Sequence, residues 1–348
     1  MPILVRRTVM LLSAACLAQA AVGQTPGSAM SGSGDGASVA PSPGIGTVDW
    51  LRRTREASRQ RTYVGTFVVS AATGNLSSAR IWHVADGKVL MERIEALTGT
   101  PRSTFRRNDR VVTFLPEEKV VRSELRENLE LFPNLPGTSD AAIAEFYEVQ
   151  PLGKGRVAGF DADVIQLAPR DGFRFGYRIW SERRTGLVIA LQTVDAGGRV
   201  VEQSAFSELQ FDAPVKAQAL MQMMSNTTGY RVDRSEIERT TPDAEGWSLA
   251  EGVAGFRPVG CYRRALDGTA KPERTMQWTF SDGMASVSLF VEPYDARRQP
   301  KEALLATGAT NTMTRRLPDK GGDWWLTAVG EVPQQTLRAF AQGLVRNR

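Results

Sequence analysis

The chain has 348 residues, 42% hydrophobic and 23% charged, with a mean hydropathy of -0.25. That balance excludes a disordered polymer and a multi-span membrane protein and, at roughly 100 to 200 residues per domain, leaves room for about two domains. One histidine and two cysteines exclude a Cys/His zinc site, a metal site needing two histidines and a disulfide-rich scaffold, so no metal and no cofactor is expected; the formal charge of +5 points to an anionic partner.

Residues 1–20 read as a secretory signal peptide. Arg6 and Arg7 form its positive end, residues 9–18 its apolar core, and Ala18-Gln19-Ala20 a small-x-small cleavage site. The apolar run is shorter than the roughly 20 residues that span a bilayer. Cys16 follows Ser13-Ala14-Ala15, without the large aliphatic residue that precedes a lipid-modified cysteine. Cleavage leaves Cys261 as the only thiol; no internal disulfide can form, and no role is assigned to it. Residues 21–46 are rich in Gly, Ser, Ala and Pro, a flexible tether that cannot bury enough surface to order itself.

Folded structure is expected from Thr47, which caps a helix with Val48, Trp50, Leu51 and Thr54 on one side. Over 47–212 short alternating segments recur at antiparallel β spacing: 63–69, 79–84, 89–94, 103–107, 111–114 and 120–123, then a short helix over 140–147. A meander of 173–180, 187–194 and 200–211 follows. In its first strand Phe173, Phe175, Tyr177 and Ile179 share one face and Arg174, Gly176, Arg178 and Trp180 the other. Residues 213–244 read as a helix carrying Leu220, Met221 and Met224, then a polar interdomain linker. A smaller unit over 245–348 has strands at 256–262, 276–280, 285–291 and 325–329 and a closing amphipathic helix over 333–345. The fold class is therefore mainly antiparallel β with helices, α+β, in a large and a small domain.

No catalytic residue emerges. His83 lies inside a strand with no G-x-S-x-G elbow anywhere, and reads as a strand histidine bonded to a neighbour. Glu117-Glu118 reads as a solvated loop, and Gly153-Lys154-Gly155 lacks the longer phosphate-loop pattern. Arg102, Arg106, Arg107 and Arg110 form the densest cationic cluster. Nucleic acid does not suit a secreted protein without an aromatic-rich binding motif, so the cluster reads as a solvated surface or as a site for anionic lipid head groups or an acidic peptide.

Several separated motifs resemble one family. Pro169-Arg170-Asp171-Gly172-Phe173-Arg174-Phe175-Gly176-Tyr177-Arg178-Ile179-Trp180, then Thr185-Gly186-Leu187 and Val201-Glu202-Gln203, look like the sheet core of the MucB/RseB regulators of the envelope-stress sigma-E pathway. Phe280-Ser281-Asp282-Gly283-Met284-Ala285-Ser286-Val287-Ser288 and Val329-Gly330-Glu331-Val332-Pro333 resemble that family's C-terminal domain, and the order is kept from Thr47 to the C-terminus. The entry to the small domain departs from the family pattern: Trp247-Ser248-Leu249 through Gly255-Phe256 lacks its proline.

The resemblance implies a half-open barrel similar to the LolA and LolB lipoprotein carriers, joined to a smaller α+β domain. It implies a periplasmic regulator, not an enzyme, that binds the periplasmic region of a transmembrane anti-sigma factor of the RseA/MucA type and shields it from proteolysis. Lipopolysaccharide or another acyl lipid would release it; a lipid or lipoprotein carrier is the alternative, and a homo-oligomer is compatible with either. A half-filled concave sheet nominates Phe67, Trp82, Met91, Phe105, Phe114 and Trp180 as the acyl-chain lining. Exposed apolar anchors for the partner are expected at Trp278, Phe280 and Phe290 of the small domain.

Overall fold

The computed structural model describes residues 47–87, 89–108, 110–125, 140–234, 237–265, 274–299 and 301–347; the expected leader and tether lie outside them. Helix α1 (Thr47–Gln60) has Asp49 in its first turn, where a carboxylate meets the positive end of the helix dipole. Trp50, Leu51, Thr54, Ala57 and Ser58 are buried, the spacing of one helical stripe, and the Trp50 indole donates to Ser181 Oγ at 3.0 Å.

Strands β1 (Tyr63–Ala71), β2 (Leu76–Ala85), β3 (Leu90–Ala96), β4 (Ser103–Arg107), β5 (Arg110–Leu115) and β6 (Val120–Leu125) follow. Short helix α2 (Asp140–Phe146) leads into β7 (Tyr147–Val157), β8 (Phe160–Pro169), β9 (Gly176–Glu182), β10 (Val188–Val194) and β11 (Val200–Phe211), and helix α3 (Ala217–Ser225) into β12 (Arg231–Arg234). These twelve strands make one sheet, ordered β12-β6-β5-β4-β3-β2-β1-β11-β10-β9-β8-β7 and open at both edges, with β12 parallel to β6. The sheet is rolled. The ring of Phe160 in β8 lies 5.1 Å from that of Phe211 in β11, whereas a flat sheet would hold strands three places apart at about 14 Å. At Gly65 a Cβ would stand 2.6 Å from the Phe206 ring and 2.7 Å from the Glu208 carbonyl oxygen, so only glycine lets β11 close over β1 there.

Different helices cover the two faces. Ala57 of α1 packs with Tyr63, Ile81 and Phe206, while Ala217, Leu220 and Met224 of α3 pack with Val84, Met91, Phe105 and Phe114; Ile81 and Val84, three apart in β2, point to opposite faces. A nine-residue helix is too short to persist alone. Burying Leu220 and Met224 supplies about 1.5 to 3 kcal/mol each, so packing holds α3 in place.

The second sheet contains β13 (Ile237–Arg239), β15 (Arg257–Ala265), β16 (Arg274–Ser281), β17 (Ser286–Pro293), β18 (Ala303–Thr307), β19 (Thr310–Leu317) and β20 (Trp324–Gly330), in the order β13-β15-β16-β17-β20-β19-β18. Helix α4 (Gln334–Gly343) lays Leu337, Phe340 and Ala341 on Trp278, Phe280, Leu289 and Leu326. Strands β14 (Trp247–Leu249) and β21 (Leu344–Arg346) pair beside it, so the chain leaves the helical expectation after Gly343.

Two other differences from the sequence expectation bear on function. The large unit does not stop at 212: α3 and β12 belong to it, and β13 already belongs to the small sheet, so the expected linker is built into both. The first meander strand starts at Gly176, and Arg174, expected on the face with Arg178, is turned into the interior at 2% exposure.

Candidate functional site

On the α3 face of the large sheet is a cavity of about 300 Å³, lined by Arg107, Arg110, Val112, Val121, Ser123, Met221, Met224, Ser225, Thr227, Val232 and Arg234. Strand register explains the convergence. Arg107 and Arg110 are directly opposed across the β4–β5 hairpin, and Val232 and Arg234 of β12 lie beside Val121 and Ser123 of β6. Like charges directly opposed repel, and among the described residues no carboxylate lines the cavity. Three guanidinium groups over a Val/Met wall therefore suit an anionic head group carrying an apolar chain, with methionines that adapt to irregular shapes.

The six nominated acyl-lining residues do not form one site. Met91, Phe105 and Phe114 share the cluster under α3, with Trp82 packed against it, and Arg93 stacks between Trp82 and Phe105 at 4.6 and 5.7 Å. These four form the apolar ground beside the cavity, and none lines it. Phe67 pairs with Ala79 while Val64 pairs with Trp82, so alternation puts Phe67 on the opposite face, where its ring meets Phe206. Trp180 of β9 packs against the same cluster as Phe67, its indole over Gly155, where a Cβ would stand 2.8 Å away. Of the nominated cations, Arg107 and Arg110 line the cavity. Sequence reasoning missed Arg234, Met221 and Met224 as lining, because only the return of α3 and β12 to the sheet brings them there.

Two of the three expected partner anchors are corrected. Trp278 and Phe280 are 7% and 2% exposed, in contact with each other and, through Phe280, with Phe340. The closing helix α4 covers that face of the sheet. Phe290 points to the other face and remains half-buried.

The two domains meet through a buried charged clasp that the sequence did not single out. Arg174 Nε donates to Asp282 Oδ2 at 2.7 Å, both side chains fully buried, and the guanidinium also reaches Asp171 and the Ala254 carbonyl. It stacks over Phe146 at 4.2 Å and Phe256 at 4.9 Å. Asp282 further accepts from Tyr147 Oη at 3.1 Å and from the Met284 and Ala285 amides at 2.8 Å each. Every lone-pair direction of this carboxylate is engaged, which a buried charge requires. Burial pushes the phenols of Tyr147 and Tyr177 beside it well above their ordinary value. Thr336 Oγ1 donates to the Phe173 carbonyl at 2.7 Å, extending the contact.

His83 is a fully buried strand residue whose Nδ1 lies 2.7 Å from the Arg61 carbonyl oxygen; since a carbonyl only accepts, Nδ1 carries the proton. It stacks on Tyr63. Burial, then the charge of Glu245, pushes the Cys261 thiol up to about 11.

Two open, mainly antiparallel sheets joined by a buried clasp, the larger carrying a cationic, apolar-walled cavity, define the class: a two-domain α+β protein whose candidate site is a binding surface. The chain belongs to the MucB/RseB family, since the model of the MucB/RseB N-terminal domain matches residues 47–224 and that of the C-terminal domain residues 241–345. It is 29% identical over 304 residues to the sigma factor AlgU regulatory protein MucB of Pseudomonas aeruginosa, covering 84% of this chain and 89% of that protein. The sigma-E factor regulatory protein RseB of Salmonella typhimurium is 25% identical over 299 residues, with the same coverage. Among solved structures, the MucA/MucB complex of Pseudomonas aeruginosa aligns with a TM-score of 0.68 at 26% identity, covering 87% of this chain and 100% of that one.

Proposed function

We propose that this protein is a periplasmic negative regulator of an envelope-stress sigma factor. It binds the periplasmic region of a membrane-spanning anti-sigma factor, shields that region from proteolysis, and releases it when an acyl-bearing anionic lipid such as lipopolysaccharide occupies the large domain. The partner assignment is supported by the kinship with MucB, a protein solved in complex with MucA. The observation that carries the lipid assignment is the cavity under α3, with its three arginines and, among the described residues, no carboxylate. At about 300 Å³ it stands at the small end of ligand pockets, which run from roughly 300 to 1,000 Å³. It takes a head-group phosphate and part of one chain. Phe290 is the anchor that stays open to the partner.

The test pairs a fluorescent anti-sigma periplasmic segment with a single-chain anionic amphiphile, lysophosphatidylglycerol, below its micelle concentration. The segment binds and resists protease; the amphiphile displaces it, and Arg110→Ala with Arg234→Ala raises the concentration needed by about tenfold or more, the equivalent of 1.4 kcal/mol. Unchanged displacement in the double variant removes the cavity from the reading. Failure of the segment to bind removes the partner.

A further inference from the structure

Helices α1 and α3 lie on opposite faces of the rolled sheet, and the roll shows which face is outside. Phe160 and Phe211 meet across it within the cluster that holds Ala57 of α1, so α1 is enclosed and the α3 face looks outward. Seven large apolar side chains are exposed among the described residues, and four of them, Leu76, Leu97, Met223 and Val232, belong to the α3 face, between 42% and 61% exposed. Register puts them there. Leu76 has the parity of Trp82 and Val84 in β2, which pack under α3. The Leu97 amide donates to the Ser78 carbonyl at 2.9 Å, continuing the ladder in which Arg93 opposes Trp82, and Val232 lies beside Val121.

The same face is one-sided in charge. From β12 to β2 its strands project Arg80, Arg93, Arg107, Arg110 and Arg234. Among the described residues of those strands the one carboxylate on that face is Glu95, which pairs with Arg93 at 3.0 Å. Arg80 and Arg93 stack on the half-buried Trp82 ring at 5.5 and 4.6 Å. Helix α3 crosses this field with no charged residue, and its Gln218, Ala219, Gln222 and Met223 face solvent. Basic side chains around an amphipathic ring, with apolar tips reaching into solvent, are the composition of a surface that lies on a membrane.

We propose that the α3 face docks the large domain on an anionic bilayer surface, with Leu76, Leu97 and Met223 entering the head-group layer and the arginines meeting lipid phosphates. The cavity opens on this face, but docking does not require a lipid inside it. From β2 to β12 the apolar side chains spread over five strand spacings, about 24 Å, on both sides of α3, an extent that a fluid planar surface matches. A second copy of the chain would set the five arginines against themselves. An acidic peptide would answer the charge and leave the leucines in water.

The chain left by cleavage at Ala20, both domains intact, is sedimented with vesicles of about 30% phosphatidylglycerol in phosphatidylcholine. It binds these and not pure phosphatidylcholine, and binding falls as salt rises, because surface charges are screened beyond about 8 Å at physiological salt. Arg80→Gln weakens partitioning about fivefold, equivalent to the ~1 kcal/mol that one basic residue contributes at such a surface. Leu76→Ser with Leu97→Ser weakens it about tenfold, and circular dichroism confirms that this variant is folded. Lysophosphatidylglycerol still displaces the anti-sigma segment from the leucine variant, so failure of docking and failure of the cavity reading are read separately. A dye that brightens in apolar surroundings responds to the vesicles at Thr100→Cys, in the turn after Leu97, and not at Lys320→Cys in the small domain; both positions are exposed and Cys261 is buried. Equal responses at the two positions, or vesicle binding unchanged in the leucine variant, overturn the proposal by assigning the binding to overall positive charge. So does a poly-glutamate peptide that shifts the Thr100→Cys dye where anionic vesicles do not.

Discussion

Replacing Arg174 by methionine keeps an unbranched side chain in place while removing the charge that faces Asp282. Breaking a buried ion pair by deleting one partner costs about 3 to 5 kcal/mol, because the remaining charge is left in a low-dielectric interior. Here the Tyr147 hydroxyl and two amides still donate to Asp282, which argues for the lower end. Loss of the stacking on Phe146 and Phe256 works in the other direction, at roughly 0.5 to 2 kcal/mol each. A net loss of about 4 kcal/mol or more lowers the domain-docking equilibrium constant by about a thousandfold, at 1.4 kcal/mol per decade. Urea unfolding followed by tryptophan fluorescence reads this directly, since Trp50, Trp82 and Trp180 report the large domain and Trp247, Trp278, Trp324 and Trp325 the small one. The variant should separate into two transitions where the parent shows coupled unfolding. A midpoint and a single transition indistinguishable from the parent would refute the reasoning, and Asp282→Asn, which keeps the shape and leaves Arg174 its Asp171 partner, should cost less.

Native Cys261 should resist a maleimide at about pH 8, where so few thiols with a raised value are ionised, and react fully in denaturant; rapid native labelling would contradict its burial. Gly65→Ala forces the Phe206 ring and β11 backbone aside, an overpacking cost of about 1 to 3 kcal/mol readable as a lowered melting temperature. Burial alone would raise the Glu182 carboxyl, but hydrogen bonds from Thr185 and Arg184 outweigh it and hold it below 4.5. Its stabilisation is complete above 4.5 and fades as pH falls through the lowered value, so Glu182→Gln should flatten the acid limb of urea midpoints, and an unaltered limb would assign the acid sensitivity elsewhere. A fragment ending at 234 should melt cooperatively, whereas one ending at 212 lacks the helix over Met91, Phe105 and Phe114 and should bind a hydrophobic dye; equal behaviour of the two would show that α3 does not complete the core.

The class of the fold was legible because period-2 alternation and a helical stripe are local properties. The buried set Trp50, Leu51 and Thr54 of α1, the meander strands and the α4 face of Leu337, Phe340 and Ala341 follow from spacing alone, and the family follows from motifs kept in order. What alternation cannot say is which face of a strand meets what. Phe67 and Trp82 look equivalent as large residues in neighbouring strands, yet the register of β1 on β2 sets them on opposite faces under different helices. Trp278 and Phe280 are as apolar as any anchor, and only the return of α4 from more than fifty residues away turns them into core. Arg174 reads as one of several arginines in an alternating strand; its burial depends on Asp282, 108 positions later, because a charge is tolerated inside only where the fold delivers its partner. Two of the three cavity arginines, Arg107 and Arg110, were visible in a charge cluster, but a cluster becomes a site when apolar walls remove water from one side, and α3 and β12 complete those walls over β5 and β6. The sequence by itself determined the fold class, the family and most of the strands and helices, but not β7, β8, β18 or β19, which it left unassigned, nor β12 and β13, which it read as linker. Tertiary structure decided which of their side chains meet, because contact across a rolled sheet depends on register and on what packs over it.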